Sequence, residues 1–335
     1  MKRKLLFTFL FFSVLSVNTI FAAMNNLTVA RLNPEYVYTG VPITPSPLLR
    51  DGLKSLRKDA DYTLEYKNNV NVGTATVVVK GIGNYTGEVT KEFKITKARV
   101  IVNVDNNLGK LYGQPEPKLT YKITQGEMKG TDALKGALER QPGEDVGTYV
   151  ISQGTLAAGD NYDLVVMKNN FKIDKAVITV KPTAGQSKTY GQQTPDIKYT
   201  ITEGALVGKD ALTGSLGYVP GENVGTYAIT LGTLSAGKNY DIRFEPANFE
   251  IVKADIAVKP DAGQSKIYGA ADPAFTFTIT SGTLQNNEMF RGALSRQPGE
   301  DVGKYTIQQG TLGLSNNYNL KVDETVTFEV VRKSF

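Results

Sequence analysis

Glu144, Glu222 and Glu300 sit in the stretches PGEDVGTY, PGENVGTY and PGEDVGKY, each 78 residues from the next. With Asp145 and Asp301 beside two of them, they are the side chains best suited to chemistry, since paired carboxylates serve general acid–base catalysis and calcium binding. Tyr112, Tyr190 and Tyr268, each followed by glycine and again 78 residues apart, form a second set, because an exposed aromatic face stacks on a sugar ring. Both sets come in three copies. An enzyme needs one unsymmetrical constellation in a shaped pocket, so a loop copied three times reads as a turn. The glutamates are expected to receive backbone N–H bonds, and Gly147, Gly225 and Gly303 to stand where a Cβ would obstruct the backbone. The tyrosines are expected in cores, with hydroxyls on backbone partners. Glu144, Glu222, Glu300, Tyr112, Tyr190 and Tyr268 are therefore assigned as loop-shaping or interaction residues, and no catalytic, metal or cofactor residue is assigned.

Composition narrows the chemistry further. The chain has no Cys, His or Trp, which removes disulfides, thiol nucleophiles, His-based dyads and zinc sites of the Cys or His kind. Residues 1–23 have a basic start at Lys2, Arg3 and Lys4, an apolar run from Leu5 to Val17, and small residues at Ala22 and Ala23. That layout is a secretory signal peptide, with Ile20-Phe21-Ala22 as the cleavage site. The break at Asn18 favours it over an uncleaved anchor. Of 38 basic residues three lie in that segment, leaving 35 against 33 acidic ones. A mature chain so nearly balanced carries no electrostatic footprint for nucleic acid or an anionic membrane.

The 78-residue period also governs Tyr149, Tyr227 and Tyr305, and the pairs Asn161-Tyr162, Asn239-Tyr240 and Asn317-Tyr318. It slips by one near the end, where Phe171 and Phe249 are answered by Phe328. Such spacing marks a tandem array. Within a unit, ARVIVNV puts Val100, Val102 and Val104 on one face, and KLTYKIT does so with Leu119, Tyr121 and Ile123, the alternation of half-buried strands. About five strands are predicted per unit. One short helix is predicted in TDALKGALERQ (131–141), capped by Asp132, with Asp210 and Glu288 in the matching places.

Residues 27–96 form a different module whose second half carries NVGT, NY and FKI in the order of the repeats. The repeats then occupy 97–174, 175–252 and 253–335. Their junctions, FKITKARVIVNV, FKIDKAVITVKP and FEIVKADIAVKP, cross a Lys-Ala pair with no flexible linker. A semi-rigid, elongated monomer of four modules is expected.

Tyr112-Gly113-Gln114, Pro117, Gly126, Asp132, Gly136, Leu138, GEDVGTYVISQGTL and Asn161-Tyr162 resemble the MBG family, the mostly bacterial β-grasp modules found in tandem on secreted and surface proteins. The resemblance covers about 98–330 in three copies. It implies a mainly β, β-grasp-like (α+β) fold, an extracellular architectural or adhesive setting, and no enzyme activity. The first module, with YVYTGVPITP, is similar to another repeat of bacterial surface proteins. The leading expectation is a secreted or surface-exposed (extracellular, cell-surface or periplasmic) spacer and interaction surface whose partner is an extracellular protein or polysaccharide. It needs no cofactor, nucleic acid or membrane insertion after signal cleavage. The alternative is an array of glycan-binding modules gaining avidity from weak copies. A Lys–Asn crosslink is not assigned, since Lys118 is answered by Asp196 and Ala274.

Overall fold

The structure, a computed structural model, describes residues 21–334, so most of the expected signal peptide lies outside the described residues. The described residues form two compact units: 21–110 with 115–173, and 111–114 with 174–334. Each is nearly all β. Among the described residues no helix is long and apolar enough to cross a membrane.

The repeat at 253–335 lies wholly in the second unit and shows the plan. Alternating apolar side chains and β-branched residues make Ala254–Pro260 a central strand. It pairs antiparallel with Phe277–Ser281 and parallel with Tyr318–Val322, from Ala254 opposite Tyr318 to Val258 opposite Val322. A second sheet has the order Ser265–Ile267, Thr327–Val331, Gly303–Gln308 and Ser295–Arg296, with only the first pair parallel. Ile256 and Val258 from one sheet and Ile307, Phe328 and Val330 from the other are fully or almost fully buried. The same seven strands recur from Ala176–Pro182 to Asn248–Val252, and from Ala98–Val104 onward. Seven replace the predicted five, because the short Tyr-Gly strand (Ser265–Ile267) and the two-residue Ser295–Arg296 are too brief to register as periodic runs. In KLTYKIT, Leu119 and Tyr121 are half-buried but Ile123 is exposed, since Tyr121–Gln125 is an edge strand.

The predicted helix at 131–141 does not form. Gly136 adopts φ 84°, which an α-helix at about −63° excludes. Backbone bonds run instead to the GTL segment: Lys135 N–H to Ala157 O at 2.9 Å and Thr155 N–H to Ala137 O at 3.0 Å. A Cβ at Gly136 would lie 2.1 Å from Thr155 O. Gly214 and Gly292 repeat the geometry at φ 77° and 74°.

In the first module Glu35–Val37, Glu88–Thr96, Gly73–Gly81 and Tyr62–Lys67 form a sheet with the same parallel and antiparallel pattern as the second sheet of the repeats. The half that carries NVGT, NY and FKI thus pairs as in the repeats, whereas in the front half Thr28–Ala30 joins Leu48–Asp51 and Lys54–Ser55 in a sheet of its own. The module also begins before residue 27. Ala22–Ala23 pairs in parallel with Tyr85–Thr86, and Met24 is fully buried with Leu49, Leu56 and Val79.

Within the units, one residue separates successive modules. Lys97 alone lies between Glu88–Thr96 and Ala98–Val104, and Lys253 alone between Asn248–Val252 and Ala254–Pro260. In the second unit a single apolar cluster runs through both repeats, from Val180 to Val330.

Candidate functional site

Glu144 and Glu300 anchor ion clusters. Glu144 accepts from Lys110 Nζ at 2.6 Å and Arg140 Nη2 at 2.7 Å, while Arg140 also grips Glu116 through two bonds of 2.5 and 3.0 Å. Arg140 donates to Gly143 O at 2.7 Å, and its guanidinium lies 5.1 Å from the rings of Tyr149 and Phe171. The repeat at 253–335 builds the same cluster from Lys266, Asp272, Arg296 and Glu300. In the middle repeat Lys188 still holds Glu222 at 3.1 Å. There Tyr218 replaces the arginine and Thr194 the acid, their hydroxyls meeting at 3.1 Å, and Tyr218 stacks on Phe249.

Lysine and arginine hydrogen bonds hold the Glu144, Glu116, Glu300 and Asp272 carboxyls below their ordinary range. A general acid needs the opposite shift. Asp272 and Glu300 raise Lys266. The glutamates thus receive side-chain cations and not the expected backbone N–H groups. The obstructed glycine is also a different one. A Cβ on Gly143, Gly221 or Gly299 would stand 2.3, 1.9 and 2.1 Å from the ring of Tyr149, Tyr227 or Tyr305. At Gly147 and Gly225 the nearest atom is at 3.8 and 3.7 Å, and at Gly303 there is none within 4 Å. The tyrosine is fixed across the turn by its hydroxyl, which donates to the Asp145, Asn223 or Asp301 carbonyl at 2.7–2.8 Å.

Tyr112 and Tyr190 of the second set, together with Tyr38, build seats. In the first unit, Tyr38 leaves the short strand Glu35–Val37 and enters the following repeat. Its hydroxyl donates to Asp132 Oδ2 at 2.9 Å, and Tyr162 donates to the same oxygen at 2.7 Å. The Tyr162 hydroxyl in turn accepts from Lys129 N–H at 2.7 Å, and the two rings meet edge to face at 5.4 Å. In the second unit Tyr112 and Tyr240 share Asp210 at 2.9 and 2.6 Å, and Tyr190 donates to Glu288 at 2.7 Å beside Tyr318. A second latch lies beside the Tyr38 and Tyr190 seats. Val72 N–H donates to Asn161 Oδ1 and Val224 N–H to Asn317 Oδ1, each at 2.9 Å. The hydroxyls of Tyr162 and Tyr38 depress the Asp132 carboxyl, and Asp132 and Glu288 raise Tyr38 and Tyr190 in return.

Residues 100–172, 178–250 and 256–327 each match the MBG domain of YGX type. The chain belongs to the MBG domain family. No curated protein matches it. Among solved structures, the extracellular domain of protocadherin GammaB4 is 10% identical with a TM-score of 0.20, over 92% of this chain and 68% of that one. Drosophila N-cadherin EC1-4 is 9% identical with a TM-score of 0.23, over 90% of this chain and 98% of that one. Likeness at that level says nothing about the function of the MBG repeats.

The six residues singled out in the MBG repeats do not converge. Glu144 borders an open cleft of about 740 Å³ between residues 116–121 and 136–144, and Glu300 borders one of about 520 Å³ in the last repeat. Tyr112 and Tyr190 lie in seats, and Tyr268 is exposed. Asp132, Asp210 and Glu288, expected as helix caps, are the carboxylates of those seats. Lys110, Lys188 and Lys266 recur at the 78-residue period on strands, a signal that the mismatch at Lys118 obscures. Among the described residues no three acidic side chains are grouped to hold a metal.

Proposed function

We propose that the chain is an exported, non-enzymatic array of MBG repeats that serves as a spacer and interaction surface at the cell exterior. The observation that carries this reading is the use of the recurrent tyrosines and acids: within each unit a hydroxyl–carboxylate set seats one module on the next. Each of these groups is engaged by another side chain of this protein, which supports a structural use. The loop glutamates are paired with a lysine in all three repeats and also with an arginine at Glu144 and Glu300. The signal-peptide layout of residues 1–23 supports export, and the tandem MBG repeats support an extracellular setting. The glycan-binding alternative draws less support at Tyr190, which is only 4% exposed, and keeps one open ring, Tyr268 at 55%.

Expression of the full chain in a bacterial host, followed by N-terminal sequencing and antibody labelling of intact cells, tests the reading. Material processed near Ala22–Ala23 and found outside the cytoplasm is expected, monomeric by light scattering. An unprocessed chain retained inside the cell overturns it. Titration calorimetry against a broad panel of cell-surface polysaccharides is expected to give no heat.

A further inference from the structure

In each repeat the sheet built on the central strand ends in one antiparallel edge strand: Tyr121–Gln125, Tyr199–Glu203 and Phe277–Ser281 each pair with the central strand alone. The first two repeats have another repeat behind them and leave this edge as open as the last one does, so it is not a place that a following module fills. An open edge is a template for a further strand, and proteins guard it with charge. The first two edges are guarded, by Lys118 and Lys122 and by Lys198 and Glu203. In the last repeat no charged residue occurs from 273 to 287. Its other edges are charged or short: Tyr318–Val322 carries Lys321, and Ser265–Ile267 and Ser295–Arg296 have three and two residues. The backbone of Phe277–Ser281 is also set for pairing. Thr276 O accepts from Asp261 N–H at 3.0 Å, and ladder bonds alternate along an antiparallel pair. Thr276 and Thr278 therefore face the central strand, while Phe277 and Ile279 turn their N–H and C=O outward. Thr278, Ile279, Thr280 and Ser281 are exposed, Ile279 at 44%.

We propose that this edge pairs antiparallel with the same edge of a second copy of the chain. The segment is self-complementary about Ile279. Ile279 meets its counterpart on a twofold axis and exchanges two backbone bonds with it, Thr278 lies opposite Thr280, and Phe277 lies opposite Ser281. Threonine pairs stabilise such a contact, and the same patch serves both copies. Two three-stranded sheets become one of six strands. Five residues from each chain cover far less than the roughly 800 Å² per partner of a stable dimer. The dilute chain is therefore monomeric, and copies crowded on one surface, at effective concentrations of roughly millimolar, associate. The inference rests on the reading of the array as an interaction surface and names its partner as the chain itself.

The chain has no cysteine, so an introduced one reports alone. Full-length Thr278→Cys and Thr280→Cys chains are mixed in a glutathione redox buffer. Residues 278 and 280 face each other across the pair without a shared backbone bond, at about 4.5 Å between Cα atoms, a spacing that suits a disulfide. The mixed disulfide is expected to form about tenfold faster, or more, than either chain alone forms its own dimer. Sedimentation equilibrium of the unaltered chain should show monomer at about 10 μM and dimer on approach to about 1 mM. Thr278→Lys gives the last repeat the residue that stands at Lys122 in the first, so the fold accepts it. It should weaken the dimer about tenfold or more by setting like charges at diagonal positions. Equal disulfide rates in the mixture and in the separate chains overturn the proposal. Faster 278–278 and 280–280 disulfides, the mark of parallel pairing, do the same, as does absence of dimer at about 1 mM or a dimer indifferent to Thr278→Lys. Export is read separately: a chain found outside the cell that does not pair defeats the pairing alone, and a chain retained inside defeats the reading beneath it.

Discussion

A tyrosine hydroxyl on a carboxylate is a charge-assisted hydrogen bond, and removing one such bond costs about 1.5–3 kcal/mol. Tyr190→Phe should therefore lower the melting temperature of the second unit, and Tyr190→Ala should lower it further by also removing a buried ring; differential scanning calorimetry reads both. The seats are sensitive to pH in a fixed direction. The Asp132 and Glu288 carboxyls are depressed from ordinary values of 3.8 and 4.5, so the stability they contribute is present above those values and is lost as pH falls through the lower folded ones. Tyr38 and Tyr190 are raised from 10.0, so their contribution is full below that value and disappears as pH rises beyond the higher folded one. Melting temperature should decline at both extremes, and Glu288→Gln should flatten the acid limb in the second unit; an unchanged acid limb would remove the seat from the account. The sequence makes these tyrosines visible through their period but does not disclose their use. Spacing within one copy says nothing about the neighbour, and Tyr38 belongs to a module with a different front half, where no repeat points to it.

At the scale of the turn and the strand, the obstructed glycine gives a contrast between two adjacent substitutions. Gly221→Ala forces a methyl into the Tyr227 ring and should destabilise its repeat by about 1–3 kcal/mol, the usual cost of overpacking. Gly225→Ala meets only ordinary contact and should stay within about 0.5 kcal/mol of the parent. Equal effects in thermal unfolding would contradict the placement of Tyr227 across the turn. The clusters around Glu144 and Glu300 lead to a further expectation: because lysine and arginine already fill these carboxylates, millimolar calcium should leave the melting curve unmoved, and a rise would show a cation displacing Lys266 or Lys110. Strands with strict alternation, such as Ala98–Val104, were legible because burial follows the pleat. The leucines and alanines of 131–141 suit a helix, but Gly136 and the pairing with Thr155 and Ala157 decide the backbone. Those contacts are long in sequence and leave no local period.

Across the whole chain, modules that interact through seats should transmit damage to their neighbours and little farther. Hydrogen exchange of the Tyr190→Ala chain should show faster exchange in the repeats at 175–252 and 253–335 and none in the module at 27–96; uniform acceleration would refute nearest-neighbour coupling. The order of modules was legible at this scale because tandem copies repeat every signal, and the absence of Gly/Ser linkers foretold the single-residue junctions at Lys97 and Lys253. At each of these lysines the backbone passes from one interior strand to another. Asn248–Val252 lies between Ser187–Thr189 and Gly225–Thr230, and Ala254–Pro260 lies between Phe277–Ser281 and Tyr318–Val322. A tensile load applied along the chain at Lys253 must then slide a strand past neighbours on both sides, straining the ladder bonds together instead of peeling them one after another. The junction resists pulling in shear, the stronger direction of a sheet.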